Sequence, residues 1–412
     1  MNEKKQLTGL DIKKQFAAAN CDKIAIITDF LNENYDIKLN CFDPTKSIIT
    51  SKKKQYAFQP TFDDISLHLY SQGIIHNESI IKKIIKSPNY TKTFNPVSDY
   101  FINLREKFKG KSHIDILCNH LIARNFGDKT ETFYQDRLNY LVKKWLVAVT
   151  ACALGKYANP VALGLIHPEE GIGKTYFFKF IIPAILKEYM LQFDPKKDNI
   201  IEVFGKYLVI LFDELVGINN RSINDYKNAI QKEEMTVSLP RDPFPVTLKR
   251  IGSAAFTTNR NADLGGFLTV NMGYRRYACI ELEDINHEYS KLVDLEQLWA
   301  EAVVLLDGNF NYTFDMKDFT DFKEYNARYL IETPAMKVVR SFYTYPQNGE
   351  GTWKQASEIL HEILKSKRVR SDMIESLSPE SIGYALKQLK FDRKGIWVKD
   401  SGNRYMYNIK PI

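Results

Sequence analysis

The chain is poor in cysteine. Five occur in 412 residues (Cys21, Cys41, Cys118, Cys152 and Cys279), scattered and never in a C-x-x-C pair. That spacing excludes a zinc ribbon and a disulfide framework and points to a reducing compartment. Long apolar runs are missing too. The longest helix-like one, Trp145–Leu154, falls far short of the ~20 residues that span a bilayer. The N-terminal text MNEKKQLTGLDIKKQF lacks the apolar stretch of a signal peptide. Neither an internal repeat nor a low-complexity tract occurs. These absences make the cytoplasm the expected location and exclude a membrane partner. An extreme charge is also lacking: 57 Lys+Arg against 50 Asp+Glu give a net charge of +7. That is compatible with a nucleic-acid partner without requiring one. What is present is 44% hydrophobic and 26% charged, enough for packed cores, and at about 150 residues per domain the length implies two to three domains.

Residues 1–22 read as a polar, flexible N-terminus. From 23 the text IAIITDFLNENY has helical spacing, and IKLNCFDPTKSIIT reads as two short strands around the Asp43-Pro44 turn. Residues 61–88 and 98–126 read as helices separated by the loop SPNYTKTFNP. Leu138, Leu141, Val142, Trp145, Val149 and Cys152 recur at three- and four-residue steps and mark a core-facing helix. Short apolar runs then alternate with helical segments: VALGLI, YLVILF, GSAAFTTN and YACIELE are expected buried strands of an α/β sheet. Residues 333–351 read as a linker. In 352–412, Thr352 is expected to cap the helix WKQASEILHEILK, and Ser378-Pro379-Glu380 starts a second helix. A β-hairpin follows around Ser401-Gly402-Asn403. Helices followed by a hairpin suggest a winged helix. This segment holds 12 Lys+Arg against 7 Asp+Glu, most of the chain's net charge, so DNA contact competes there with an ordinary solvated face.

The strongest chemical signal is HPEEGIGKTYFFKF, residues 167–180. Gly171 and Gly173 allow the backbone to turn so that N–H groups of Glu170, Gly171, Ile172, Gly173, Lys174, Thr175 and Tyr176 face a phosphate. Lys174 supplies charge to the β- and γ-phosphates of ATP and Thr175 a hydroxyl to Mg²⁺, at the start of the helix TYFFKFIIPAIL. Pro168 stands where the first loop glycine is usual. Second, the apolar run Tyr207–Phe212 ends in Asp213-Glu214. A buried strand ending there sets Asp213 to hold Mg²⁺ and Glu214 to polarise the attacking water. Third, the strand AAFTT ends in Asn259, whose amide can orient that water. Before it, MTVSLPRDPFPVTLKRIG reads as a hairpin whose Arg241, Lys249 and Arg250 suit a DNA finger. Fourth, Arg275 and Arg276 enter the strand ACIELE and are expected on alternate faces of it, one of them able to act as an arginine finger. Lys387, Lys390, Arg393 and Lys394 are the C-terminal candidates for DNA contact. His113, Cys118 and His120 lack ligand-like partners for a metal.

The set GIGKT, ILFDEL, FTTN and GYRR, in this order, resembles superfamily 3 helicases of the AAA+ class, and most of all the virulence-associated protein E family of bacterial mobile elements and phages. The resemblance extends upstream through KKIIKSPNYTKTFNPVSDYF and covers roughly residues 23–300. It implies an α/β AAA+ P-loop NTPase core (136–332), a mostly α N-terminal collar (23–135) and a C-terminal winged-helix-like domain (352–412). It further implies an ATPase that forms a homo-oligomeric ring and drives DNA, single-stranded in a central channel, as a helicase. A primase domain often precedes the helicase in this family; here primase activity is not expected in the chain, and a separate primase or initiator is the implied partner. Glu170 departs from the usual Gln beside the glycines. Two other readings stay open: a P-loop NTPase that remodels a partner without unwinding DNA, and a non-enzymatic DNA-binding initiator that uses nucleotide only for assembly.

Overall fold

The computed structural model describes residues 23–53, 59–75, 78–214, 220–239, 244–346, 351–366, 368–369, 371–398 and 402–412. The expected flexible segment 1–22 and Arg241 lie outside them. The fold is mixed α/β, in two compact units. One holds the described residues up to Asn261 together with Val270–Asn326, the other Ala262–Thr269 with Ala327–Ile412.

The first unit is built on a six-stranded sheet in the order Leu121–Ala123, Tyr277–Ile285, Ala162–Ile166, Ser253–Thr258, Val209–Asp213, Met190–Gln192. All neighbours are parallel except the first pair. Ala162–Ile166 and Ser253–Thr258 are buried throughout, which is why their sequences are unbroken apolar or small-residue runs rather than alternating ones. The strand Ser253–Thr258 lies between Ala162–Ile166 and Val209–Asp213, so those two are separated by two strand spacings, about 9–10 Å. Ile166, Thr258 and Asp213 therefore end at one sheet edge with a gap wide enough for a phosphate chain.

The helix Phe133–Ala153 crosses this core. Trp145 Nε1 donates to Ala254 O at 3.2 Å. Lys144, fully buried, donates to Asp318 at 2.9 Å and to the Tyr140 hydroxyl at 2.8 Å. A buried ammonium is tolerable only with such complete pairing, so this cluster fixes the helix against Met316–Asn326.

The expected boundary at 135/136 falls inside this core. Val97, Phe101, Ile114 and Leu117 pack into the same cluster as Trp145 and Phe178. Leu121–Ala123, read from sequence as helix, pairs with Leu282–Ile285 as a sheet strand. The supposed loop SPNYTKTFNP likewise holds a strand, Lys92–Phe94, parallel to Tyr35–Asn40. A separate small core gathers the helices 23–34, Phe62–Ser71 and Glu78–Lys86 around Tyr35 and Ile49. Tyr35–Asn40 and Ile48–Ser51 pair around Asp43-Pro44 as expected.

In the second unit the expected linker 333–351 is instead partly a helix, Pro334–Phe342. Thr333 caps it, Pro334 occupies its first turn, and Ala335, Met336, Val338 and Val339 enter the unit's core with Ile359, Ile382 and Leu386. Thr352 is no helix cap: Thr352–Gln355 is a strand, and the helix Ala356–Lys365 starts from Gln355, whose capping box with Glu358 replaces it. Ser378 caps Pro379–Gln388 as read, and Arg393–Val398 pairs antiparallel with Gly402–Pro411. No helix among the described residues is long and apolar enough to cross a membrane.

Candidate functional site

The strand Ala162–Ile166 delivers the loop His167–Gly173 to the sheet edge, and Lys174–Phe180 leaves it as a helix, cut short of the expected length ahead of Pro183. Gly171 and Gly173 have φ of 80° and 99°, values that L side chains rarely adopt. A Cβ on Gly173 would lie 2.3 Å from His287 Cε1, so the imidazole would also have to move. Lys174 is 6% exposed. Its Nζ donates to two loop carbonyls, His167 O at 3.0 Å and Glu169 O at 2.7 Å. Burial lowers its pKa below the ordinary lysine value, and the charges of Asp213, Glu170 and Glu214 pull it back.

Across the gap, Asp213 is the last residue of its strand. Its Oδ1 accepts from Thr175 Oγ1 at 3.2 Å and Thr257 Oγ1 at 2.5 Å, and its Oδ2 from Gln192 Nε2 at 2.9 Å. Glu214 follows with φ of 54°, an uncommon left-handed conformation for a residue with a side chain. Asn259, just past the intervening strand, donates its amide to Glu214 Oε1 at 3.3 Å and lies 3.5 Å from Glu170 Oε1. These groups line one open cavity of about 490 Å³. The donor set fits a hard cation: the Thr175 hydroxyl and Asp213 carboxylate are the sparse oxygen ligands with which Mg²⁺ keeps several waters. A lysine whose partners are neutral carbonyls, beside a loop turned by two left-handed glycines, fits an anion.

Tyr176 lines the same cavity, half exposed, its ring 6.2 Å from that of His287. Other expected residues lie elsewhere. Ile172 packs partly against the core. Arg275 and Arg276 do not alternate across a strand, because Tyr274–Arg276 is a 3₁₀ turn ahead of it. The strand's first residue, Tyr277, pairs with Ala162. The arginines therefore stand at the sheet edge opposite Lys174, away from this chain's own cavity.

The expected hairpin forms from Glu234–Val237 and Val246–Lys249. Lys249 is exposed on it. Arg250 is not a DNA contact. It is 2% exposed, donates to Ile230 O, Asn159 O and Gly252 O, and stacks over Phe204. Adjacent residues of an extended chain point opposite ways, so Lys249 outward puts Arg250 inward. Lys387, Lys390, Arg393 and Lys394 are all exposed. Arg393 lies over Tyr405 and Lys394 over Trp353, at 4.8 and 4.4 Å.

Three site residues were missed in the sequence. Thr257 stood inside the T-T-N text and was read only as strand. Gln192 and His287 come from a short edge strand and a post-strand loop and carry no motif of their own.

Among solved structures, the chain resembles the NrS-1 C-terminal region. The apo structure of the NrS-1 C-terminal region (305–718) is 13% identical, covers 94% of this chain and 99% of that one, and has a TM-score of 0.43. The A form apo structure of the same region is 11% identical, with 93% and 98% covered and a TM-score of 0.43. No curated protein sequence matches. The virulence-associated protein E-like domain matches residues 108–330, more than half of the chain and the whole of the cavity described above. The chain belongs to the virulence-associated protein E-like family.

Proposed function

We propose that the protein is an Mg²⁺-dependent ATPase that works as a homo-oligomeric ring and moves along DNA, single-stranded in the ring's channel, during replication of a mobile element or phage. One observation carries this: Asp213 and Asn259 at the C-terminal ends of two adjacent parallel strands, and Lys174 past the loop that leaves the third, line one cavity. The first unit is then an AAA+ P-loop core. The helix Pro334–Phe342, the strand Thr352–Gln355, the helices Ala356–Lys365, Ser371–Ile374 and Pro379–Gln388 and the hairpin of the second unit suit a winged helix, with Lys387, Lys390, Arg393 and Lys394 as its DNA-facing cations. The family suits a role in replication, with primase or initiator activity in a separate partner.

In this mechanism the loop N–H groups receive the phosphates, and Lys174 exchanges its two carbonyl partners for β- and γ-phosphate oxygens. Thr175 and Asp213 would hold Mg²⁺, whose charge would offset that of the phosphate oxygens. Thr257 and Gln192 hold Asp213 in place. Glu214 takes the proton of the attacking water, and Asn259 fixes the orientation of Glu214. Arg275 or Arg276 serves the neighbouring subunit's site, since both lie at the wrong edge for their own. Strand displacement tests the helicase activity: unwinding of a tailed duplex with ATP, absent with a non-hydrolysable analogue, supports it. ATP hydrolysis without DNA stimulation would instead favour partner remodelling.

A further inference from the structure

Gln231 connects the arginine pair, which the proposed function assigns to a neighbouring site, with the hairpin Glu234–Val237/Val246–Lys249, which the sequence reads as a DNA finger. It follows the helix Asn220–Ala229 and precedes the hairpin strand Glu234–Val237. A guanidinium only donates, so the amide of Gln231 presents its oxygen to the arginines. In that orientation it accepts from Arg275 Nη2 at 3.1 Å and from Arg276 Nη2 at 2.8 Å. The same short segment is tied to the hairpin's other strand: Arg250 N donates to Glu233 O at 2.8 Å, and its buried guanidinium to Ile230 O. Lys227 Nζ, one turn earlier, donates to Asn271 O at 3.0 Å, just ahead of the arginines.

We infer that Gln231 is a positioning residue that ties the arginine pair to the root of the hairpin, so that DNA bearing on the hairpin alters where the guanidinium groups point. This rests on the sequence reading of that hairpin as a DNA finger, on which Lys249 is exposed, and on the proposed reading of the arginines as serving a neighbouring site. The chemistry of the tie suits a release rather than a lock. One neutral oxygen is shared by two cations, which leaves both charges available to phosphate. A carboxylate in its place would form stronger, charge-assisted bonds and hold them. Arg276 Nε is buried with no hydrogen-bond partner, a cost relieved when the group moves to an acceptor. Burial and the charge of Arg275 also disfavour the cationic form of Arg276 where it stands, so an arriving anion is favoured.

The test uses the full chain, with ATP turnover measured with and without oligothymidylate in wild type, Gln231→Ala and Gln231→Glu. Gln231→Ala is expected to bind a fluorescent ATP analogue as wild type does, yet lose DNA stimulation on the order of tenfold. Gln231→Glu is expected to pin the arginines and lower kcat in both conditions, with KM for ATP little changed. Should Gln231→Ala fail to fold, Gln231→Asn, which keeps the acceptor on a shorter arm, is measured for the same ratio. An unchanged stimulation ratio in a folded variant overturns the inference while leaving the ATPase reading intact. Wild type turning over ATP with no response to DNA would overturn the DNA-translocase reading and this inference with it, while the ATPase reading would stand.

Discussion

Thr257 and Asp213 face each other in register on adjacent parallel strands, and the threonine hydroxyl donates to the carboxylate at 2.5 Å. Thr257→Val keeps the shape and deletes the bond, one to a charged group worth about 1.5–3 kcal/mol. The Mg²⁺ concentration for half-maximal hydrolysis should rise roughly tenfold, with a smaller change in kcat at saturating metal. A titration of Mg²⁺ at fixed ATP checks this. An unchanged midpoint would leave Thr257 a packing residue.

Glu214 combines a catalytic assignment with a backbone conformation suited to glycine. Glu214→Gln should retain ATP binding and lose hydrolysis by about 10²-fold or more, because the amide fits but cannot accept the proton. Glu214→Gly should be at least as stable as wild type by thermal melting, although glycine elsewhere usually costs about 0.5–1 kcal/mol. Loss of ATP binding in Glu214→Gln would make Glu214 structural.

Arg276→Ala, or Arg275→Ala if that residue carries the role, should bind ATP and hardly hydrolyse it, since an arginine finger contributes on the order of 10³-fold in rate. Lys174→Ala has a dead site and an intact finger. Mixing the two variants should recover activity that neither shows alone. A mixture that co-assembles by light scattering without recovery would assign the arginines to structure.

Replacing Lys387, Lys390, Arg393 and Lys394 together by Gln should reduce the slope of log affinity for DNA against log salt by up to about 3, while leaving ATP hydrolysis without DNA largely intact. Point changes serve better than truncation at 352, which would strip Val338 and Val339 of their packing partners. A salt series parallel to wild type would make this face a protein contact.

Affinity for ATP should fall on the alkaline side at a pH below the 10.5 of an ordinary lysine, because burial lowers the pKa of Lys174 and only its charged form pairs with phosphate. The sign for stability is the reverse. The folded state favours neutral Lys174, so the nucleotide-free protein gains stability as pH rises through the lowered value. Binding isotherms and melts across pH, compared with Lys174→Met, check both directions.

Much of the core was legible because its chemistry is local. GIGKT, Asp213-Glu214 and T-T-N sit at strand ends, and the strands Ala162–Ile166, Val209–Asp213 and Ser253–Thr258 around them are, up to their last residues, apolar or small-residue runs set by burial on both faces. What sequence hid depends on long-range pairing. Leu121–Ala123 is three residues long and becomes a strand only against Leu282–Ile285. Arg250 looks like a surface cation beside Lys249, and only the carbonyls of Asn159 and Ile230 reveal its burial. Pro334–Phe342 was masked by the polar text that follows it, although Thr333-Pro334 is a legible helix start.

The most direct measurement is steady-state ATP hydrolysis, with Mg²⁺ present and absent, with and without single-stranded DNA, in wild type and Lys174→Ala. The expected result is Mg²⁺-dependent turnover in wild type that DNA increases, and none above background in the variant. Equal turnover in the two proteins would contradict the nucleotide site built on Lys174, Thr175 and Asp213.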